Sequence, residues 1–304
     1  MNEPLAYLNG QYVPAASLSV PVYDAGFMQG TTVAEQLRTF GGRLFRLDEH
    51  LARLSRSLEI VGIDPGMSER AMAEVAERLA RENHRLLATG DDLGLSIFVT
   101  PGPYPTLAPA GASGPTLAMH TYPLPFGLWA EKYRTGQALV VSDIQQVSPR
   151  CWPPELKCRS RMHYYLADQR SQAQSPGARA LLLDDAGRVC ETSTANVMAY
   201  YEGEGIVSPP PERILPGISA AALAELAEGL GIDLVHRDLT PGELVAADEV
   251  LLTSTSNCLL PVTQLDGQAI GQGRPGPVFE RLLRAWGESV GVDIAGQAVQ
   301  FAGR

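Results

Sequence analysis

Apolar positions follow two spacings along this chain, and the change from one to the other marks its elements. Ala6–Val13 and Gly42–Phe45 read as short strands bounded by turn residues. Leu47, Leu51, Leu54 and Leu58 fall at spacings of four, three and four and predict a helix with Asp48 as its cap. Ser68 opens a second helix with Met72, Val75, Leu79 and Leu86 on one face. Residues 95–100 and 116–122 are strand-like, and the Pro/Gly-rich segment 101–115 between them is too long for a tight hairpin. Long ordered loops of this kind often carry function. Tyr122-Pro-Leu-Pro-Phe-Gly127 reads as a connector.

Beyond it, strands are predicted at Ala138–Ile144, Ala180–Leu183, Asn196–Tyr201 and Glu249–Thr253, with a strand–turn–strand pattern around Asp185-Ala-Gly187. Helices are predicted at about Arg159–Gln174, Ser219–Gly231 and Pro277–Val290. No internal repeat of solenoid period is present. At 304 residues the chain exceeds the usual size of one core. The expectation is an α/β (α+β) protein in two domains, 1–122 and 123–304.

Composition narrows the function. A formal charge of −10 argues against a nucleic-acid or anionic-membrane surface. No apolar run approaches the roughly 20 residues of a spanning helix. The first residues lack the basic flank and apolar core of a secretory signal. Cys151, Cys158, Cys190 and Cys258 form no C-x-x-C pair, and the five histidines show no ligand spacing, so no metal site is expected. Reduced thiols and a cytoplasmic location are the corresponding expectation. Gly271-Gln-Gly-Arg-Pro-Gly276 matches G-x-G-x-x-G, but no strand precedes it and Pro275 removes a donor, so it reads as a loop before the Pro277 helix. Neither G-x-S-x-G nor S-x-x-K occurs.

Of the 24 basic residues only Lys132 and Lys157 are lysines. An amine that must form an imine can only be one of these two, because the guanidinium of arginine stays protonated. A lysine in a random setting is usually a solvated surface residue. Lys157, however, stands beside Arg159 and Arg161 and just ahead of a predicted helix, a setting that favours the neutral amine. Other segments supply matching chemistry. Cys190-Glu-Thr-Ser-Thr-Ala-Asn196 sets a carboxylate in a loop of small polar residues. Leu215-Pro-Gly-Ile-Ser219 runs into a helix start, where backbone N–H groups suit an anion. Leu252-Thr-Ser-Thr-Ser-Asn257 leaves a strand with hydroxyls and amides, and Arg53 offers a bidentate cation.

Taken in order, these segments resemble the class IV (fold type IV) pyridoxal-phosphate aminotransferases. That family includes branched-chain aminotransferases, D-amino-acid aminotransferases and aminodeoxychorismate lyases. His50-Leu-Ala-Arg53 is similar to the family's phosphate-arginine segment, Leu156-Lys157 to its Schiff-base lysine, and Leu215-Pro-Gly-Ile218 to its L-P-G-[IV] signature. The resemblance implies a smaller N-terminal α+β domain and a larger C-terminal α/β pseudo-barrel. It implies pyridoxal 5'-phosphate as cofactor, with Lys157 catalytic, Glu191 at the ring nitrogen, and Arg53, Asn196, Ile218, Ser219, Thr255 and Ser256 completing the cofactor set. It further implies an amino acid and a 2-oxo acid as substrates, with Gln29, Arg38 and Ser256 near them, and a homodimer.

Departures from the pattern bear on substrate. Met162 stands where branched-chain enzymes carry a tyrosine five residues after the lysine. Gln29 and Ala34 replace aromatics of their aliphatic pocket, and Gln36 replaces a glycine. Thr100-Pro-Gly-Pro-Tyr104 lacks the arginine and histidine by which D-amino-acid enzymes hold the α-carboxylate. Lys157 to Arg161 has the K-x-x-[NS]-R form often found in the lyases. The expectation is a transaminase using an L-, branched-chain-like donor. The alternatives are a lyase, a D-amino-acid enzyme, and a non-catalytic relative.

Overall fold

The computed structural model describes residues 3–303, and the chain divides into two compact units. The first runs to Leu124 and also takes Leu156–Ser160; the second holds Pro125–Glu155 and the chain from Arg161 onward. A division by chain order alone places Leu156–Ser160 with the second unit; the contacts of that segment place it with the first.

In the first unit, the strand predicted over residues 6–13 is a hairpin, β1 (Leu5–Leu8) and β2 (Gln11–Pro14). Asn9 and Gly10 both hold positive φ (44° and 91°), the geometry of a two-residue turn that folds the strand back on itself. Then follow α1 (Ala25–Met28), β3 (Val33–Phe40), β4 (Arg43–Leu44), α2 (Leu47–Val61) and α3 (Glu69–His84). The unit ends with β5 (Leu93–Thr100) and β6 (Thr116–Pro123). The sheet order is β2-β1-β6-β5-β3-β4. Asp48 lies inside the first turn of α2 rather than at its cap, which is Arg46 in the left-handed region. Ser68 does cap α3, accepting from the Ala71 amide. Met72, Val75 and Leu79 are buried as the spacing predicts, whereas Leu86 lies past the helix end and is exposed. Val33 and Leu37 of β3, Leu95, Ile97 and Val99 of β5, and Leu117 and Met119 of β6 form one core with the apolar residues of α2 and α3. Strand alternation therefore fixes a core face and an opposite face of this sheet.

The second unit begins with α4 (Lys132–Thr135), β7 (Gln137–Val141), α5 (Met162–Gln174), β8 (Arg179–Leu183), β9 (Val189–Thr192) and β10 (Asn196–Tyr201). It continues through β11 (Gly205–Ser208), α6 (Ile218–Gly229), β12 (Leu234–His236), α7 (Pro241–Ala246) and β13 (Glu249–Ser254). Last come β14 (Cys258–Leu265), β15 (Gln268–Ala269), α8 (Pro277–Val290) and α9 (Ile294–Gln300). The strand path is β12-β11-β10-β13-β14-β7-β8-β9, with β15 on β14, and β9 pairs back onto β10 through Asn196 and Glu191. That last pairing closes the strands from β10 to β9 into a ring, the pseudo-barrel expected of the C-terminal domain.

Two details correct the sequence reading. The α5 helix starts at Met162, so Lys157 lies five residues ahead of it and outside the reach of its first-turn dipole. The sequence around Lys157 puts Tyr164, Tyr165 and Leu166 on the apolar side of that helix, yet Tyr165 and Leu166 are exposed. The Gly271–Gly276 loop does lead into α8. There the buried Glu249 carboxylate accepts from the Val278 and Phe279 amides at 2.7 and 2.8 Å. A Cβ on Gly276 would lie 2.2 Å from Glu249 Cδ. The anion at this helix start is the protein's own side chain.

Candidate active site

Lys157 lies on a short segment pinned at every residue. Leu156 packs into the core of the first unit. The Lys157 amide donates to Ser57 Oγ (3.2 Å), and its carbonyl accepts from the Ala34 amide (3.0 Å). Cys158 bridges Val33, the Arg159 amide donates to the Thr32 carbonyl (2.8 Å), and Ser160 Oγ donates to the Gly30 carbonyl (2.7 Å). The segment thus forms an isolated antiparallel bridge at the edge of β3. Gln29, at the exposed end of α1, directly precedes Gly30.

Beside this segment lies a buried charge cluster. Glu35, fully buried on β3, accepts from Arg53 Nε and Nη2 at 2.7 and 2.8 Å and pairs with His50 Nδ1 at 2.8 Å. His50, Arg53 and Ser57 recur every three or four residues, so one face of α2 supplies the clamp on both Glu35 and Lys157. Burial alone would raise the Glu35 pKa. The Arg53 charge and hydrogen bonds, the His50 bond and the Lys157 charge outweigh it and bring the carboxyl down to about 2. For His50, burial prevails over Glu35 and lowers the pKa. Arg53, expected at a phosphate, is therefore engaged with Glu35 through two of its nitrogens. Arg38, expected near substrate, is 1% exposed, with its guanidinium 4.0 Å over the Phe40 ring and Nε donating to the Thr39 carbonyl.

The second unit brings the remaining candidates to the closure of its ring. Glu191 and Asn196 face each other across β9 and β10. Glu191 Oε1 accepts from Gln146 Nε2 and from the Tyr164 hydroxyl, both at 2.8 Å. Its Oε2 accepts from Asn196 Nδ2 (3.4 Å) and the Leu215 amide (3.3 Å). Burial, with Glu191 beside it, pushes the Tyr164 hydroxyl well up, so it stays a donor. Asn196 Nδ2 also donates to the Leu215 carbonyl (2.9 Å). A Cβ on Gly217 would lie 2.0 Å from Asn196 Oδ1, which is why this turn needs glycine. Ile218 and Ser219 form the first turn of α6, whose N-terminus has no side-chain cap. Thr253 lies opposite Asn196, and the turn 255–257, with Thr255 and Ser256, follows from the end of β13. Among the described residues the buried Thr253 Oγ1 and Asn257 Oδ1 have no hydrogen-bond partner.

Sequence reasoning does not single out Glu35, Gln146 or Tyr164 as site residues. A carboxylate in step with the core residues Val33 and Leu37 is the available sign for Glu35; Gln146 and Tyr164 become partners of Glu191 only through the fold. Lys132, the other lysine, opens the four-residue α4 and is half-buried. Among the described residues no His/Cys/Asp/Glu group could hold a metal, and no helix is long and apolar enough to cross a membrane.

Comparison with known proteins accords with this arrangement. The family model for amino-transferase class IV matches residues 32–265. The chain is 32% identical to a D-alanine aminotransferase of Bacillus licheniformis over 283 residues, covering 93% of this chain and 95% of that one. It is 30% identical to a branched-chain-amino-acid aminotransferase, so named provisionally, of Methanocaldococcus jannaschii, covering 91% and 93%. Among solved structures, a branched-chain amino acid aminotransferase of Escherichia coli superposes with a TM-score of 0.84 at 26% identity, covering 93% of each chain. A T.th. branched-chain amino acid aminotransferase with pyridoxamine 5'-phosphate shares the fold, with a TM-score of 0.84 at 24% identity and coverage of 99% and 97%.

The chain belongs to the class IV aminotransferase family. It is an enzyme that moves an amino group between an amino acid and a 2-oxo acid.

Proposed function

We propose that this enzyme works with pyridoxal 5'-phosphate held covalently by the Lys157 amine, and that it prefers an L-amino-acid donor. The observation that carries the reading is the fixing of Lys157 by backbone bonds on both sides, next to an anionic Glu35, on a segment that leaves its side chain on the face opposite the core. When bound, the cofactor supplies an electron-accepting ring for the bond electrons released at the substrate α-carbon. The Lys157 amine, released when the substrate amine replaces it, would take and return the α-proton.

The donor set fits that group. Glu191, held by four donors, suits the protonated ring nitrogen, with Asn196 as its positioner. The uncapped start of α6, with the Ile218 and Ser219 amides, and the Thr255 and Ser256 hydroxyls suit a phosphate. Arg53 serves the phosphate while anchored by Glu35, so Arg53→Ala should weaken cofactor affinity and stability together. Ser256 and Gln29 lie toward substrate in this reading.

The L preference rests on residues 100–104, which contain no cation, and on Thr100, whose hydroxyl is bonded to Asp24 (2.9 Å). The 32% identity to a D-alanine aminotransferase favours the second reading, a D-amino-acid donor. A homodimer accords with exposed Val22, Phe27 and Leu107, near α1 and on the 101–115 loop that bonds to it. The test is the visible spectrum of the cofactor-loaded protein with L-glutamate and, separately, D-alanine. Conversion by the L donor is expected; conversion by D-alanine alone selects the second reading, and no change with either removes both.

A further inference from the structure

The bonding of Leu156–Ser160 decides which side chains share a face with Lys157. Cys158 lies opposite Val33, a core residue, and Leu156 packs into the same core. In an extended segment alternate residues point the same way, so Lys157 and Arg159 project together from the other face, about 7 Å apart along that segment. The bond from Arg159 Nη2 to Ser96 Oγ (3.3 Å) agrees, because Ser96 lies between the core residues Leu95 and Ile97.

That face is polar where it meets Arg159. Ser96 is in register with Gln36 on one side and His120 on the other. Gln36 Oε1 accepts from the Tyr122 hydroxyl at 3.2 Å. Burial, and the nearby Arg159 charge, keep His120 below its usual pKa, leaving Arg159 as the cation of this row. Arg159 is exposed; Arg38, on the same face, is buried against Phe40.

We infer that Arg159 binds a carboxylate of the amino-acid or 2-oxo-acid substrate, with Gln36 and Tyr122 as a polar wall beside it. The inference rests on Lys157 being the reacting amine and gives Arg159 the place near substrate expected of Arg38. A guanidinium suits a carboxylate because it offers paired N–H donors in one plane. A substrate attached near Lys157 carries its α-carboxylate, and an acidic substrate a second one, within range of such a group.

The test uses the cofactor-loaded enzyme and its Arg159→Met and Arg159→Lys variants. Glutarate, which cannot react, is titrated by calorimetry, and KM is measured for 2-oxoglutarate and pyruvate. Arg159→Met should raise the glutarate Kd and the 2-oxoglutarate KM by about 10- to 100-fold, the scale of a lost charged hydrogen bond. Arg159→Lys should recover part of either loss. A matching loss with pyruvate assigns Arg159 to the α-carboxylate; an unchanged pyruvate KM assigns it to the distal one. Changes under twofold in every reading overturn the inference, as does wild-type enzyme that fails to bind glutarate. Glutarate binding that depends on Arg159, in an enzyme without turnover, would sustain the carboxylate site while the transaminase reading fails.

Discussion

Each unit contributes to the candidate site a buried carboxylate met by several donors, and the donors differ in kind. Glu35 is met by the Arg53 guanidinium and by His50, with the Lys157 charge nearby. Glu191 is met by an amide from Gln146, a phenol from Tyr164, an amide from Asn196 and the Leu215 backbone. Cations neutralise as well as orient; neutral donors orient without supplying an opposite charge. Glu35 therefore reads as part of the scaffold that sets Lys157, and Glu191 as a carboxylate kept in place for a cationic partner.

The widest separation between the two should come from Glu35→Gln. Replacing this carboxylate takes its counter-charge from the partly buried Arg53, a change whose cost approaches that of a broken buried pair, about 3–5 kcal/mol. Urea unfolding should show the loss; a change under 1 kcal/mol would mean Glu35 is not structural. Acid should act on the same group. Its folded pKa lies below the ordinary value of 4.5, so its stabilisation is complete above pH 4.5 and is lost as pH falls towards about 2. The span corresponds to about 3 kcal/mol as an upper figure. Thermal melts across that range should flatten in Glu35→Gln relative to wild type. His163, held down to about 4 chiefly by burial, adds loss in an earlier window, from pH 6.5 downwards.

Glu191→Gln should instead be read in turnover, falling by about 100-fold or more as a preorganised charge is removed. Single-turnover kinetics on loaded protein measures this, and an unchanged rate would remove the proposed role of Glu191. A smaller effect is expected of Gly217→Ala, where the new methyl must displace Asn196. Overpacking of this kind costs about 1–3 kcal/mol, and chemical denaturation should detect it along with weaker cofactor binding.

Much of the fold is legible in the sequence. The α8 helix spans the residues predicted for it because Gly276 and Gly291 bracket its amphipathic pattern, and β10 and β13 agree to within a residue because each is a short, mostly apolar run between polar turns. The single strand expected over 6–13 is a hairpin because two consecutive left-handed residues, Asn9 and Gly10, turn the chain between the paired Leu8 and Gln11. Lys157 is legible by type but not by setting. Its segment leaves the chain order to join the sheet of the first unit, a pairing between residues more than 120 apart that no local spacing reports. For the same reason the alignment of Arg159 with Lys157 on one face requires the bridge at Cys158.

The account depends most on which amine holds the cofactor, and the chain offers only two lysines. Borohydride reduction of the loaded protein, followed by peptide mass mapping, fixes the cofactor to whichever amine carries it. The pyridoxyl mass is expected on the peptide containing Lys157 and absent from that containing Lys132. Label on Lys132, or on neither lysine, would contradict the account.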